Sequence, residues 1–220
     1  IRDWSVTGVQ TCALPIRKQG RYDDAIGALE QALAIDPDQV DAKLQLGMVY
    51  QATGDSERAL QLIGEVAALA ESNPQAAAQA YLRLGNLARD GGDLEEAAAR
   101  YQAAQQANPT LIAPYLQLAQ LLRSQGQTEQ AFAQIQAAVE NNPNSAEAQL
   151  ELGKATIERG QFREAVQILE HAAELNPGSV ETYIQLSLAL QGLQNLDRAE
   201  IMLNRALRLA QSDEQAARVL

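Results

Sequence analysis

The centre of the chain repeats one pattern at a fixed interval. Three residue types recur every 34 residues, at Gly92, Gly126 and Gly160, at Ala97, Ala131 and Ala165, and at Pro109, Pro143 and Pro177. Between these markers the apolar residues fall at the spacing of an amphipathic helix. A fixed period of roughly 20 to 50 residues is typical of a solenoid, in which small units stack on one another. The period therefore predicts an all-α fold of stacked helix pairs.

Composition agrees with helices and narrows the class of partner. Of the 220 residues, 46% are hydrophobic but only 4% are aromatic, which favours helix over sheet. The formal net charge is −11 and the pI is near 4.6. Nucleic acids and anionic membrane surfaces attract clustered Lys and Arg, so this balance argues against both as partners. No apolar run in the sequence is long enough to predict membrane insertion.

Residues 1–16 differ from the rest of the chain. They hold the only tryptophan, Trp4, the only cysteine, Cys12, and a proline, Pro15, where a helix would run. Residues 6–16 resemble the translation of a common sequencing-library adaptor, and residues 2–5 fit the start of the same string in another frame. We interpret residues 1–16 as an artefactual leader outside the fold; a natural, irregular leader is the alternative. On this interpretation the native start is lost, and cytoplasm and periplasm both stay open as locations.

Extending the period outward divides the remainder into repeats. We predict a partial repeat at 17–39 and repeats at 40–77, 78–111, 112–145, 146–179 and 180–213. Gly54 and Gly92 are 38 residues apart, which exceeds the period by four. Four residues make about one helical turn, so we predict a one-turn insertion in the second unit, at residues 67–73, before Pro74. Residues 214–220 are predicted to begin either a capping helix or a truncated next repeat.

Small and large residues recur at matching positions of these units. Small residues recur where two helices must approach closely, at Gly47, Gly85, Ala119 and Gly153 and at Ala59, Ala97, Ala131 and Ala165. Leucines recur where one unit fills its neighbour, at Leu46, Leu84, Leu118, Leu152 and Leu186. With the recurring Gly and Pro, this pattern resembles the tetratricopeptide repeat over residues 17–213. The last unit departs from it, since Gln194 replaces the turn glycine beside Asn195, a residue that tolerates the left-handed conformation.

The resemblance implies a right-handed superhelical solenoid of antiparallel helix pairs that binds proteins and is not an enzyme. In this family the first helix of each unit lines a concave groove. One column of the predicted groove is apolar, at Leu44, Leu82, Leu116, Leu150 and Ile184. The candidate peptide-binding residues are Leu82, Arg83, Asn86, Arg89, Leu116, Gln117, Gln120, Arg123, Leu150 and Lys154.

The predicted groove combines aliphatic side chains with cations and amides. Arginine offers paired donors to planar oxyanions, so this combination suits a protein or peptide partner with apolar side chains and an acidic residue or free carboxylate. The alternative is that the cations pair with Asp90, Glu151 or Glu158 of neighbouring helices and that the apolar column is partly core. Family members that clamp a terminal carboxylate use Lys and Asn in set columns. Here the Lys column holds Leu or Ile and only Asn86 matches, so that subtype is not expected.

The sequence offers no constellation for catalysis, cofactors or metal binding. Its one histidine, His171, lies in a predicted helix without ligand-type residues at metal-binding spacing. The Asp-Gly-Gly-Asp run at residues 90–93 is interpreted as a turn between helices, not as a phosphate-binding loop.

Two functions remain from this reasoning. The first is a non-enzymatic protein-interaction scaffold that holds a peptide or helix segment in its groove. The second is the repeat-array portion of a larger protein, such as a glycosyltransferase or a component of envelope assembly, secretion or polysaccharide export. The full open reading frame would separate them.

Overall fold

The computed structural model describes residues 22–69 and 71–210, and within them it contains eleven α-helices and no β-strand. The interpretations of residues 1–16 and 214–220 lie outside the described residues. The helices divide into two compact units, with the boundary after Pro114. The all-α repeat solenoid predicted from the period is confirmed.

Unit 1 contains five of the helices. They are α1 (Tyr22–Ile35), α2 (Val40–Thr53), α3 (Ser56–Ala67), α4 (Pro74–Asp90) and α5 (Leu94–Ala107). Each helix packs on the next along the chain, and α2 also contacts α4. The even-numbered helices are the first helices of the predicted repeats, and the odd-numbered helices are the second helices.

Unit 2 contains the other six helices. They are α6 (Ala113–Ser124), α7 (Thr128–Asn141), α8 (Ala146–Glu158), α9 (Phe162–Leu175), α10 (Val180–Gly192) and α11 (Leu196–Leu209). The helix α6 begins at the unit boundary. Consecutive helices from α7 to α11 pack on one another, and the first helices α8 and α10 are also in contact.

The turn between the two helices of a repeat follows from its residue types. The residue there takes a positive φ, which glycine adopts without steric cost, and it is glycine in four repeats, at Gly54, Gly92, Gly126 and Gly160. In the last repeat Gln194 takes this position, with φ of 59°. Asn195 therefore does not adopt the left-handed conformation; its side chain caps α11 by accepting a hydrogen bond from the Arg198 backbone N–H.

Close helix contacts in both units depend on glycine facing a large side chain. A Cβ atom on Gly85 of α4 would lie 2.6 Å from the ring of Tyr101, which is fully buried on α5. In unit 2 a Cβ on Gly153 would lie 2.5 Å from Leu169, also fully buried. These distances are shorter than van der Waals contact, so any larger residue would push the helices apart. The small–large pattern in the sequence thus fixes how each helix pair packs.

The extra turn of the second predicted unit lies at the start of α4 rather than at residues 67–73. The helix α4 has 17 residues, compared with 13 in the first helix α8. Its first turn is stabilised by Pro74 at the helix start and by Asn73, whose side chain accepts a hydrogen bond from the Ala76 N–H. Ala67 is the last residue of α3, and the added turn lies in α4, after Asn73.

Candidate functional site

Four of the predicted binding residues lie on α4 in unit 1. Leu82, Arg83, Asn86 and Arg89 are all half-buried. The Asn86 Oδ1 atom accepts a 2.9 Å hydrogen bond from the hydroxyl of Tyr101, whose ring packs against Gly85. Asn86 is therefore held in place by the core of its own repeat.

Arg89 at the end of α4 is an ion-paired cation. Its Nη2 atom donates to Asp90 Oδ1 at 2.9 Å, and its guanidinium also hydrogen-bonds Tyr101. The hydrogen bond to Asp90 raises the pKa of Arg89 above its usual range. Burial raises the pKa of Tyr101, so this hydroxyl stays neutral near pH 7. The end of α4 thus presents a charged guanidinium beside a neutral phenol.

The remaining six predicted residues lie on two helices of unit 2. Those on α6 are Leu116, Gln117, Gln120 and Arg123, and those on α8 are Leu150 and Lys154. Gln120 is exposed and the other five are half-buried. Leu116 packs against the cluster around Ile135, and Leu150 packs against the cluster around Leu169. Each helix therefore carries an aliphatic side chain that is partly core and partly surface.

The unit 2 cations join first helices of successive repeats. Arg123 Nη2 on α6 lies 3.1 Å from Glu158 Oε2 on α8. Lys154 Nζ on α8 lies 2.8 Å from Glu151 Oε1 on the same helix and 3.7 Å from Glu181 Oε1 on α10. Arg123 therefore pairs with Glu158 of a neighbouring helix, whereas Lys154 pairs with Glu151 and Arg89 with Asp90 on their own helices.

Tyr101 is the site residue that sequence reasoning missed. Its ring is fully buried in the core, and its hydroxyl orients Asn86 and contacts Arg89. An available signal was the fact that a tyrosine, rather than leucine, faces a glycine in this repeat. A buried tyrosine hydroxyl needs a polar partner, and the partners lie on the facing helix α4.

Two further kinds of feature, metal-ion sites and membrane-spanning helices, were looked for in the described residues. Within residues 22–69 and 71–210, no group of three or more His, Cys, Asp or Glu side chains is arranged to hold a metal ion. His171 is exposed on α9. None of the helices in these two ranges has the length and apolar character needed to cross a membrane.

Fold and surface define a class of helical repeat proteins whose members act as scaffolds for protein–protein interaction. Models of the tetratricopeptide repeat match residues 17–80, 78–111, 116–180 and 156–220. The chain belongs to the tetratricopeptide repeat family. A search of curated proteins gives no match.

Solved structures with the same fold extend over nearly the whole chain. The pilF protein of Pseudomonas aeruginosa has a TM-score of 0.68 at 20% identity, with 99% of this chain and 97% of that chain covered. BtubC of P. vanneervenii has a TM-score of 0.67 at 18% identity, with 88% and 89% covered. YrrB, described as a TPR protein with an unusual peptide-binding site, has a TM-score of 0.58 at 22% identity, with 87% and 96% covered. At these identities the similarity concerns the fold alone.

Proposed function

We propose that this chain is a non-enzymatic scaffold that binds a peptide or helix segment of a partner protein along its first helices. One observation carries the proposal. In both units, first helices present a half-buried leucine together with a cation: Leu82 and Arg89 on α4 of unit 1, and Leu116 and Arg123 on α6 and Leu150 and Lys154 on α8 of unit 2. A segment with aliphatic side chains and an acidic residue or free carboxylate matches this combination.

The existing ion pairs are compatible with such a ligand. The side chains of Arg123 and Glu158 are 34% and 60% exposed. An exposed pair of this kind contributes only about 0 to 1 kcal/mol to stability. A ligand carboxylate can therefore replace Glu158 as the partner of Arg123 at small cost, and the same holds for Asp90 beside Arg89.

The first helices α4 and α8 are closely packed on second helices. Gly85 faces Tyr101 and Gly153 faces Leu169, at distances that leave no room for a larger side chain at either glycine. A preformed surface avoids the entropic cost of ordering helices on binding. Among the similar structures, YrrB is described as having a peptide-binding site, which is consistent with this use of the fold.

The test is a peptide selection followed by charge reversal. Random peptides displayed on phage are selected on the full chain, and the affinity of the selected peptides is measured by fluorescence anisotropy. We expect enrichment of aliphatic residues with Asp, Glu or a free C-terminus. The double change Arg89→Glu and Arg123→Glu should weaken binding by about tenfold or more, because each new carboxylate repels the ligand and its former partner.

A matched control separates the first helices from overall charge. Arg163→Glu with Arg198→Glu makes the same change in net charge on the second helices α9 and α11. These variants should bind the selected peptides like the parent chain. Equal weakening by both double variants, or none by either, would show that the first helices are not the binding surface. Circular dichroism of every variant is the check that its helices are retained.

A further inference from the structure

The residue that directly follows a first helix, its C-cap, differs among repeats while its backbone conformation stays the same. Gly91, Arg159 and Leu193 occupy this position in three repeats, immediately before the left-handed turn residue. Their φ and ψ angles are −79° and −6°, −83° and −1°, and −89° and 5°. A side chain at residue 91 would therefore leave the helix in the direction taken by that of Arg159. Only the side chain distinguishes these positions.

In unit 2 the arginine at this position reaches the preceding second helix. The Arg159 guanidinium carbon lies 4.4 Å from the centre of the Phe132 ring on α7. Its Nη1 atom lies 2.7 Å from both Oε1 and Oε2 of Glu129, in the first turn of α7. The arrangement places a guanidinium between an apolar face and a carboxylate, which is a favourable setting for this group.

Unit 1 has an apolar residue and a glutamate at the equivalent positions of its second helix, but it lacks the arginine. Counting by the repeat, Leu60 of α3 corresponds to Phe132 and Glu57 corresponds to Glu129, while Gly91 takes the place of Arg159. Leu60 is 49% exposed, although it is a large apolar residue. A cleft of about 440 Å³ opens beside it, between α3, α4 and α5. We call it the Leu60 cleft.

The walls of the Leu60 cleft are apolar and its rim is acidic. Leu60, Leu84 and Leu87 line its interior. Its charged lining residues are Asp93, Glu96 and Arg100. Arg100 is paired with Glu96, at 2.6 Å between Nε and Oε1, so the lining keeps the negative charge of Asp93, whose Oδ1 also accepts a hydrogen bond from the Glu96 backbone N–H. Next to the lining residue Ser56, the first turn of α3 carries the carboxylate of Glu57.

We infer that the Leu60 cleft binds an arginine side chain of a partner protein. The arginine methylenes pack on Leu60 and Leu87, and the guanidinium bonds to Glu57 as Arg159 bonds to Glu129. Arginine suits the site because its stem is apolar and its planar head pairs with carboxylates. On α4 the cleft is lined by Leu84 and Leu87 and not by the proposed peptide-binding residues Leu82, Asn86 and Arg89, so this inference does not depend on the proposed first-helix binding surface.

The experiment uses the full chain and two short peptides. One is acetyl-Ala-Leu-Arg-Leu-Ala-amide, and the other replaces arginine by citrulline, which keeps the shape but removes the charge. Titrations are followed by the amide shifts of Leu60, Leu87 and Gly91 in ¹⁵N-labelled protein. We expect the arginine peptide to shift these amides and the citrulline peptide to bind about fivefold more weakly or worse. Equal binding of the two peptides would overturn the inference.

Exchange of residues between the units gives the second test. Gly91→Arg supplies the guanidinium internally and should abolish the peptide shifts, whereas Gly91→Ala, its matched control, should keep them. Both residues fit, since φ is −79° and a Cβ there would lie 3.4 Å from its nearest neighbour. Arg159→Gly should create a second binding position, seen as new shifts at Phe132. If Gly91→Arg binds the arginine peptide as tightly as the parent chain does, the inference is also overturned. The comparison of the arginine and citrulline peptides uses the parent chain, so it does not depend on the folding of any variant.

Discussion

The two units fix their first-helix cations in different ways. In unit 1, Lys43 pairs with Glu65 at 2.8 Å and Arg89 pairs with Asp90, so both bonds stay within one repeat. In unit 2, Arg123 pairs with Glu158 on the first helix of the next repeat, and Lys154, which pairs with Glu151 on its own helix, also approaches Glu181 on the next first helix. The two units have the same order of paired helices, but their ion pairs join different helices. In unit 1, Asn86 and Arg89 hydrogen-bond the buried Tyr101, while in unit 2 ion pairs link the first helices of successive repeats.

The largest expected effect concerns the buried anchor of unit 1. Tyr101→Ala should lower the free energy of unfolding by about 3 to 5 kcal/mol, because it removes a fully buried aromatic ring and leaves a cavity beside Gly85. Hydrogen exchange should show the loss of protection mainly in α4 and α5. Leu169→Ala is the matched change in unit 2 and should affect mainly α8 and α9. A uniform loss of protection over both units in either variant would contradict the local role of each contact.

A smaller effect isolates the hydroxyl of the same residue. Tyr101→Phe keeps the ring but removes the donor to Asn86 Oδ1. We expect a loss of about 0.5 to 1.5 kcal/mol, since one hydrogen bond disappears and its partner on α4 is only half-buried. Urea unfolding measures the change, and adding Asn86→Ala to Tyr101→Phe should cost less than Asn86→Ala alone. Independent, additive effects of the two substitutions would show that the hydroxyl does not stabilise the fold through Asn86.

The ion pair that crosses repeats in unit 2 should contribute less. A double-mutant cycle with Arg123→Met and Glu158→Gln should give a coupling free energy of about 0.2 to 1 kcal/mol, because both side chains are substantially exposed. The coupling should fall when the salt concentration is raised from 0.05 to about 0.5 M. A coupling that is large and insensitive to salt would mean that unit 2 depends on this pair as strongly as unit 1 depends on Tyr101.

The smallest effect is a dependence on pH in unit 1. The hydrogen bond from Lys43 lowers the pKa of Glu65 below its ordinary value of 4.5. The pair therefore stabilises the fold fully above pH 4.5 and loses this contribution as the pH falls through the lowered pKa. Lys43→Met should reduce the difference in melting temperature between pH 6 and pH 3. Parallel pH profiles for the variant and the parent would exclude a contribution from this pair.

The fold could be predicted from the sequence because the residues that determine it recur at a fixed interval. The positions of Gly54, Gly92, Gly126 and Gly160 mark turns that the backbone requires, and they have positive φ in the structure. The sequence predicts the insertion at residues 67–73, before Pro74, whereas in the structure the added turn begins with Pro74, the first residue of α4. Proline is compatible with both interpretations, because it stops one helix and also starts another.

The candidate site was less accessible to sequence reasoning than the fold. Lys154 lies close to Glu151 on one helix and to Glu181 on another, and only three-dimensional positions determine such distances. The bond between Asn86 and Tyr101 joins residues 15 apart and occurs in one repeat, so the period does not encode it. The first-helix binding surface stays a proposal. Membership of the array in a larger enzyme or envelope-assembly protein stays a prediction.

The 17-residue helix α4 has a consequence for the order of folding. An isolated helix of 12 to 14 residues, the length of most of the others, is marginal in water, whereas a longer helix with a strong start holds together better. In an array where units contact only their neighbours, folding can begin at any point and spread. We expect it to begin at α4 and α5, so that the repeat with this longer first helix serves as the nucleus from which the other repeats are added.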